Sequence, residues 1–304
     1  MRAMLQILTH RLDNGSSLNL SLASPGKGAD EHLVLVIGGG RGCSLKIEGE
    51  TAGIWMPLRG RLHLQDAAGD SIVTPREILV TEPESRVCAS GRGNALWAGL
   101  AATPCAWRTA LCDSLDPATP MLLPARHIAD RDFRKRTIAL VRLALNGDPH
   151  LSANVAIDLA VRLQEGFASF ISRCPGRTFL QRRSVFVRLQ RLRNYIAANC
   201  HLDLDDRELA RMANYSQWHF IRLFRDAYQE TPHAFLLNQR LMRARRLLDT
   251  SPLAITEIAR ASGFENRSVF SRLFHKRFGV TALSIRQGSS GMSASGRKSS
   301  RCGA

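Results

Sequence analysis

The sequence predicts an α+β protein with a β-rich N-terminal domain, linker helices and an all-helical C-terminal domain. Three observations support this prediction. Short strand-like stretches fill the chain up to about residue 103, a helical period replaces them after a proline-bearing linker, and two similar helical segments follow each other near the C-terminus. The length of 304 residues also favours two domains over one.

The N-terminal strands are short and recur at close intervals. Glycine-bearing breaks such as Gly38–Gly42 and Gly91–Asn94 separate them. Many short strands at this spacing are typical of an antiparallel barrel or sandwich, and we predict an antiparallel β-barrel over residues 1–112. The predicted strands are Leu18–Leu22, Leu33–Ile37, Ile54–Leu58, Arg61–Gln65, Glu77–Thr81 and Ala95–Leu100.

Two helices are predicted within a linker segment, residues 113–180, that begins with several prolines. The first covers Ile128–Leu145, and the second begins at Ser152, a typical N-cap residue, and continues to about Ser172. The apolar stripe of the second helix is either core covered by the same chain or a dimer face. This stripe consists of Val155, Leu159, Leu163, Phe167 and Phe170.

Positive charge is concentrated at the C-terminal end of the chain. The formal net charge is +16, from 42 Lys and Arg against 26 Asp and Glu. Residues 177–304 hold 23 basic and 9 acidic side chains, whereas residues 1–176 are near neutrality. A neutral part joined to a basic part is typical of a polyanion-binding protein, although a generally arginine-rich composition gives the same total.

Several classes of protein and site do not fit the sequence. Seven cysteines without a CxxC pair form neither a disulfide framework nor a zinc site. The longest apolar run, Leu33–Ile37, is too short to span a membrane, and no signal peptide is recognisable, so we expect a soluble, cytoplasmic protein. No Gly-x-Ser-x-Gly motif or paired histidine spacing occurs, and we expect no enzyme activity, no metal and no cofactor.

An internal repeat with an offset of about fifty residues lies in the helical part of the chain. Phe220–Phe224 recurs as Phe270–Phe274, and Tyr228–Thr231 recurs as Phe278–Thr281. Each copy contains a short amphipathic helix, a turn and a second helix, which is the helix-turn-helix pattern.

The turns and the spacer between the copies fit the same interpretation. Asn214 and Gly263 stand at the turns, and these two residue types tolerate the positive φ that a tight helix–helix turn requires. Pro232–Leu248 predicts one continuous helix between the copies, about 25 Å long. A spacer of this length can hold two recognition helices about one DNA turn, roughly 34 Å, apart.

The outward side chains of the second helix of each copy are the candidate DNA contacts. Arginine suits guanine, glutamine suits adenine, and apolar groups suit the thymine methyl. Asn266 and Ser268 could instead be the helix cap and a first-turn residue. The candidates are Gln217, Trp218, Ile221, Arg222 and Arg225 in the first copy, and Asn266, Arg267, Ser268, Ser271 and Arg272 in the second.

Six further basic residues are expected to contact phosphates or to solvate a helix face. Four lie in the spacer helix and two in the second copy. They are Arg240, Arg243, Arg245, Arg246, Lys276 and Arg277.

Residues 184–286 resemble the AraC/XylS family of transcription regulators. The second copy has the stronger resemblance, through Ile255–Ala259, Gly263–Asn266, Phe270–Phe274 and Phe278–Thr281. Two residues depart from the family pattern: Gln229 stands where Gly is usual, and Ala282 where Pro is usual. Either departure loosens a local turn or helix start and removes no outward-facing residue.

The resemblance implies the organisation of the whole chain. It implies a cupin-like effector domain at 1–112, a linker and dimerisation segment at 113–180, a double helix-turn-helix domain at 181–287 and a disordered tail at 288–304. In the first of these domains, Trp55, Arg59 and His63 are candidates for effector binding or ordinary structural residues.

The function implied is a DNA-binding transcription regulator, an activator, that responds to a small-molecule effector. Its partners would be double-stranded DNA, RNA polymerase, an effector and a second copy of the chain, since a dimer doubles the DNA contacts. The alternative is a ligand-independent dimeric regulator whose N-terminal barrel serves only for assembly.

Overall fold

The structure, a computed structural model, describes residues 6–22, 32–66, 69–81, 85–112 and 122–287. The predicted disordered tail, 288–304, lies outside the described residues. Eight strands are described. They are β1 (Gln6–Leu12), β2 (Ser17–Ser21), β3 (His32–Gly40), β4 (Ser44–Asp66), β5 (Gly69–Val73), β6 (Glu77–Val80), β7 (Ser85–Ala102) and β8 (Ala125–Ile128).

Ten helices are described along the same part of the chain. They are α1 (Pro104–Leu111), α2 (Arg131–Leu145), α3 (Pro149–Glu165), α4 (Ala168–Arg173), α5 (Phe179–Ala198), α6 (Asp206–Met212), α7 (Gln217–Tyr228), α8 (Pro232–Thr250), α9 (Ile255–Ala261) and α10 (Arg267–Phe278). Contacts divide the chain into two compact units, Met1–Ala198 and Asn199–Ala304. The predicted domain boundaries at 112, 180 and 287 stay predictions.

The prediction of a closed antiparallel barrel is wrong. The strands form one open sheet in the order β1-β3-β7-β4-β6-β8, with β2 and β5 also paired to β4. The β1–β3 and β2–β4 pairs are parallel, so the sheet is mixed. Two predicted strands, Ile54–Leu58 and Arg61–Gln65, belong to the single long strand β4, because Gly60 at φ 74° makes a bulge and not a chain reversal.

The long strands roll the sheet without closing it. Ala89 of β7 pairs with both Leu45 and Leu64, which lie near opposite ends of β4. Register shifts between Ile47 and Thr51, and again around Arg59, bend β4 enough to bring its ends to either side of β7. The sheet therefore has a filled concave face and a second face on which helices pack.

Apolar side chains fill both faces of the sheet. On the concave face, Trp55 and Trp97 are fully buried, with ring centroids 6.3 Å apart. On the other face, the sheet packs against α1, α2 and α3 through residues such as Trp107, Leu140 and Leu159. The Trp107 Nε1 donates to the carbonyl oxygen of Ala52 at 2.9 Å, which satisfies the one polar atom of a fully buried indole.

The linker helices differ from the prediction in their bounds. Ile128 is the last residue of strand β8, and the first helix begins at Arg131. The second helix begins at Pro149 because Asp148, and not Ser152, is its N-cap, with Oδ1 accepting from the Leu151 amide at 2.9 Å. It is also two helices, since α3 ends before Gly166.

The apolar stripe of these helices lies largely inside the first unit. Leu159, Leu163 and Phe167 are buried there, which corresponds to the alternative in which the same chain covers the stripe. Phe167 also contacts Phe186 of α5, with ring centroids 5.4 Å apart. These three side chains are therefore covered within the unit and are not free to form a dimer face.

Helix α5 packs within the first unit through both apolar and polar contacts. The fully buried Phe186 stacks on Phe170 at 6.3 Å. Gln190 and Asn194 each donate a side-chain amide to the Pro124 carbonyl, at 2.9 and 3.0 Å. Gln190 is only 1% exposed, so its amide pairing avoids the cost of an unpaired buried polar group.

Gly38→Ala should destabilise the first unit strongly. A Cβ built on Gly38 overlaps with the buried Trp97 indole, its cross-strand partner. We expect the free energy of unfolding to fall by about 1–3 kcal/mol, as for other overpacked cores. Thermal or urea unfolding of the full chain measures this loss.

Gly39→Ala is the matched control, because the nearest atom to its Cβ lies 3.8 Å away and its φ is not positive. An equal loss for the two variants would show that the contact with Trp97 is not the cause.

In the second unit, α7 and α10 both end at a residue in the left-handed conformation. Gln229, after α7, has φ 60°, and Gly279, after α10, has φ 71°. Each backbone amide donates to the carbonyl four residues earlier, at 2.8 Å in both cases. The left-handed cap is therefore kept in the first copy although a glycine is missing there.

Gln229→Gly should stabilise the second unit. A non-glycine residue in the left-handed region is strained by about 1 kcal/mol or more, and glycine removes this strain at some cost in chain entropy. We expect a net gain of about 0.5 kcal/mol in the free energy of unfolding, measured by urea unfolding followed by circular dichroism. The reciprocal variant Gly279→Gln should lose stability, and a gain there would contradict the strain argument.

Candidate nucleic-acid interface

Each helix-turn-helix unit turns on a residue in the left-handed region. Asn214 has φ 58° between α6 and α7, and Gly263 has φ 88° between α9 and α10, as the sequence predicted. Gly263 is required for a second reason. A Cβ on it would lie 2.8 Å from Arg240 Nε and 3.0 Å from the Cys200 carbonyl oxygen.

Chains of aromatic rings fix the inner face of each recognition helix, α7 and α10. In the first helix-turn-helix copy, Phe224 contacts Phe220, Tyr228 and Phe235 of α8, at centroid distances of 5.8, 4.7 and 6.1 Å. In the second copy, the consecutive rings lie 5.3, 5.3 and 4.6 Å apart. These rings are Phe264, Phe270, Phe274 and Phe278.

The candidate contacts of α7 lie on its outer face. Trp218 is 83% exposed, and Arg222 and Arg225 are also exposed. Gln217 and Ile221 are half-buried at the margin of this face. The five predicted residues are therefore presented by one helix, and Arg225 lies in its last turn.

The candidate contacts of α10 are exposed as well. Arg267, Ser268, Ser271 and Arg272 all lie on the outer face of this helix. Asn266 is the N-cap, and its Oδ1 accepts from the Ser268 and Val269 amides at 2.8 and 3.3 Å. The sequence left open whether Asn266 caps the helix or contacts a base, and the structure gives it the capping position.

The recognition helices α7 and α10 differ from the preceding helices, α6 and α9, in the charge of their first turns. The first turns of α7 and α10 contain no acidic residue. The first turns of α6 and α9 do contain acidic residues, Asp206 and Glu208 in one and Glu257 in the other. Acidic residues at a helix start stabilise the helix dipole. Because α7 has neither an acidic first turn nor a side-chain cap from Ser216, its positive end is open to an anion such as phosphate, whereas Asn266 already caps α10.

The basic residues of α8 are used mainly inside the second unit. Arg240 donates from Nε to the Cys200 carbonyl and from Nη2 to the Leu202 carbonyl, both at 2.8 Å. Arg243 Nε donates to the Ala261 carbonyl at 3.0 Å. These two side chains tie the segment before α6 and the end of α9 to α8, a role that the sequence did not reveal.

Two other predicted phosphate contacts also have internal partners. Arg245 forms an ion pair with Asp249 at 3.4 Å, one turn along α8. Arg277 Nε donates to Asn238 Oδ1 at 3.0 Å. Arg222, Arg225, Arg267 and Arg272, on the outer faces of the recognition helices, are exposed.

The three candidate effector residues of the first unit do not converge. Trp55 points into the concave core and donates its Nε1 to Thr81 Oγ1 at 3.2 Å. His63 faces away from that core, because its neighbours Leu62 and Leu64 are the ones buried there. Arg59 is exposed and donates to the Asn94 side chain at 3.1 Å.

A small cavity lies elsewhere in the first unit, between the sheet and the end of α5. It has a volume of about 30 Å³, enough for one or two water molecules. Its polar lining includes Asp66, Ser71, Arg126 and Asn194.

Within the described ranges no group of three or more His, Cys, Asp or Glu side chains could hold a metal ion. In that same part of the chain, no helix combines the length and apolar character needed to cross a membrane.

The fold and the site define this chain as a double helix-turn-helix protein. The family described as helix-turn-helix domain matches residues 209–288. The MmsAB operon regulatory protein of Pseudomonas aeruginosa is 30% identical over 99 residues, which cover 33% of this chain and 32% of that protein. The transcriptional activator RhaS of Shigella boydii is 44% identical over 61 residues, which cover 20% of this chain and 22% of that protein.

Solved structures are similar to about a third of this chain. The C-terminal domain of AraT, a response regulator from Geobacillus stearothermophilus, is 27% identical and covers 33% of this chain and 84% of that domain, with a TM-score of 0.32. The matches span about a third or less of the first curated relatives. The C-terminal region of this chain is an AraC-type helix-turn-helix domain, which confirms the family resemblance.

Asn266→Ala should lower the free energy of unfolding by about 1 kcal/mol, because two amides of α10 lose their acceptor. Asn266→Asp preserves an acceptor at the same place and should retain most of the stability. Circular dichroism during urea unfolding measures both variants. Equal losses for Ala and Asp would show that the lost acceptor is not the cause.

Proposed function

We propose that this protein is a transcription regulator that binds double-stranded DNA in two successive major grooves through α7 and α10. One observation carries the proposal: two units of the same build, each with an outer face bearing arginine, are packed on one uninterrupted helix. A single helix-turn-helix needs a dimer partner to reach a second groove, whereas this arrangement supplies both readers in one chain.

The length of α8 supports a two-groove arrangement. Its 19 residues correspond to about 28 Å of helix. Phe235 near its start packs on α7, and Leu241, Ala244 and Leu248 pack in the core of the second helix-turn-helix copy. The recognition helices are thus attached toward opposite ends of one rigid helix. Its length of about 28 Å is of the same order as the roughly 34 Å repeat of B-DNA.

The proposed base contacts are the outward residues of the two recognition helices. Arg222 and Arg272 occupy equivalent positions in the repeat, and each guanidinium suits the N7 and O6 atoms of guanine. Gln217, Trp218, Ile221 and Arg225 complete the first set. Arg267, Ser268 and Ser271 complete the second set, with Asn266 positioning the start of α10.

Selection of random duplex DNA on the purified full chain tests the function. We expect enrichment of two conserved blocks about one helical turn apart, with an affinity that falls steeply as salt increases. Enrichment of a single block would leave one unit as a phosphate contact. No enrichment and no salt-dependent binding would contradict the proposal.

Arg222→Ala and Arg272→Ala should each relax specificity at one position of the selected site. We expect a cost of about 1–3 kcal/mol on the preferred sequence and little change on sequences altered at that position. Fluorescence anisotropy with a panel of single-base variants measures this pattern. Arg11→Ala is the control, since Arg11 is an exposed arginine of the first unit with Asp13 as its partner. A uniform loss on all sequences would assign the two arginines to phosphates.

For the first unit we propose the simpler of two roles, assembly without an effector. The observation that favours it is the filled concave face, where both Trp55 and Trp97 are fully buried and the three candidate effector residues do not meet. A cupin-like, effector-binding domain is the second candidate. Transcription from a selected promoter with purified components separates them: activity that requires an added metabolite would support the effector.

The remaining partners follow from the same proposal. Because the relative RhaS is named an activator, we propose activation through contact with RNA polymerase. DNA binding would place the protein in the cytoplasm.

We propose a homodimer through the outer face of α2 and α3, where Ile138, Leu145 and Leu151 are 38%, 51% and 46% exposed. Light scattering on the unmodified chain and on Leu145→Asp tests this face. We expect the mass of a dimer for the unmodified chain and the mass of a monomer for the variant, and a dimeric variant would contradict the assignment.

A further inference from the structure

Three short segments of the first unit combine arginine with glycine and meet in one part of the sheet. Residues 40–42 begin at the last residue of β3, residues 59–61 lie within β4, and residues 91–93 lie within β7. The strands β3, β7 and β4 are consecutive neighbours in the sheet. The segments contribute four arginines, named here the arginine cluster: Arg41, Arg59, Arg61 and Arg92.

Backbone pairing brings the three segments together. Arg61 and Arg92 are direct cross-strand partners in β4 and β7. The Gly91 amide donates to the Cys43 carbonyl at 3.0 Å, which holds the segment of Arg92 beside the segment of Arg41. Since neighbouring strands lie about 4.8 Å apart, the three backbone segments lie within about 10 Å of one another.

Close packing and side-chain hydrogen bonds fix the part of the cluster that β4 contributes. Arg59 donates from Nε to the Asn94 carbonyl at 3.2 Å and from Nη2 to Asn94 Oδ1 at 3.1 Å. A Cβ on Gly60, which has φ 74°, would lie 2.8 Å from the Ala95 Cα. Glycine is therefore required between Arg59 and Arg61 for β4 to approach β7 this closely.

The cluster lacks the carboxylate partners that stabilise other arginines of the same unit. Arg126, for example, pairs with Glu77 at 3.2 Å. Among the described residues, none of the four cluster arginines forms an ion pair, and all four are exposed. Like charges directly opposite each other on neighbouring strands are destabilising, so an anion that bridges Arg61 and Arg92 relieves their repulsion.

The chemistry of the cluster suits phosphate. Guanidinium groups bind phosphate oxygens in a bidentate manner, and several of them together favour a multivalent anion over a single carboxylate. The backbone beside them is also accessible, because a Cβ on Gly42 or Gly93 would meet no atom within 4 Å. A ligand can therefore approach the main chain at these two glycines.

We propose that the arginine cluster is a binding site for phosphate groups, separate from the filled concave face of the sheet. A free polyphosphate or phosphate ester and the backbone of DNA offer the same chemistry to it. The site does not depend on the reading of DNA by α7 and α10.

Chemical modification of arginines on the full chain tests the site and distinguishes the two sources. Phenylglyoxal, which reacts with accessible guanidinium groups, is applied at constant ionic strength without ligand, with inorganic pyrophosphate or with duplex DNA, and peptide mass spectrometry reports each arginine. We expect the modification of Arg61 and Arg92 to slow several-fold. Arg76 and Arg142, exposed arginines elsewhere in the unit, should react at an unchanged rate. Protection by pyrophosphate and not by the duplex would assign a free ligand, whereas protection by the duplex would assign the DNA backbone.

Two double variants attribute the binding to the cluster. Arg61→Gln with Arg92→Gln should weaken the binding of the protecting ligand about tenfold or more, because two charge-assisted contacts are lost. Arg76→Gln with Arg142→Gln removes the same net charge and should retain the affinity. All four positions are exposed, so both variants should keep the unfolding temperature of the unmodified chain.

Three outcomes would overturn the proposal. The first is that neither pyrophosphate nor the duplex protects Arg61 and Arg92. The second is equal protection of Arg76 and Arg142, which would indicate general ionic screening. The third is an equal loss of affinity in the two double variants, which would show that net charge and not the arginine cluster attracts the anion.

Discussion

The packing of two helix-turn-helix units on one continuous helix is the constraint on which the C-terminal unit depends. Helix α8 contacts α7 of the first helix-turn-helix copy through Phe235 and contributes Leu241, Ala244 and Leu248 to the core of the second copy. Arg240 and Arg243 extend this attachment by donating to backbone carbonyls before α6 and at the end of α9. With the spacer fixed, the distance between the two recognition helices is a property of the fold and not of a flexible linker.

The repeat pattern predicted this unit well because its signals are local. Positive φ at Asn214 and Gly263, the start of α8 at a Thr-Pro pair and the buried phenylalanines all follow from short-range rules on turns, caps and helix faces. The roles of Arg240 and Arg243 did not follow from these rules, since their partners lie 18 to 40 residues away in sequence. The sequence did not decide whether Asn266 caps α10 or contacts a base, because an asparagine side chain suits both roles.

The first unit was harder to predict because sheet topology is a long-range property. The composition indicated strands correctly, but the bulge at Gly60 reads in the sequence like a turn, and the parallel pairing of β1 with β3 leaves no local signature. The result is an open mixed sheet whose concave face is filled by Trp55 and Trp97. The candidate effector residues lie on one strand, where Trp55 and His63 are eight residues apart and strict alternation would place them on the same face. The register shifts around Arg59 reverse the alternation, so the two side chains lie on opposite faces.

The central claim is that a rigid spacer makes both units read DNA together. Its most direct test changes the DNA and not the protein: five base pairs, about half a helical turn, are inserted between the two selected blocks, and the Kd is measured. A fixed spacer predicts that affinity falls to the level of an operator with only one block, and that ten inserted base pairs do not restore it. Equal affinity at every spacing would contradict the account, since it would show that one unit alone binds or that the spacer bends freely.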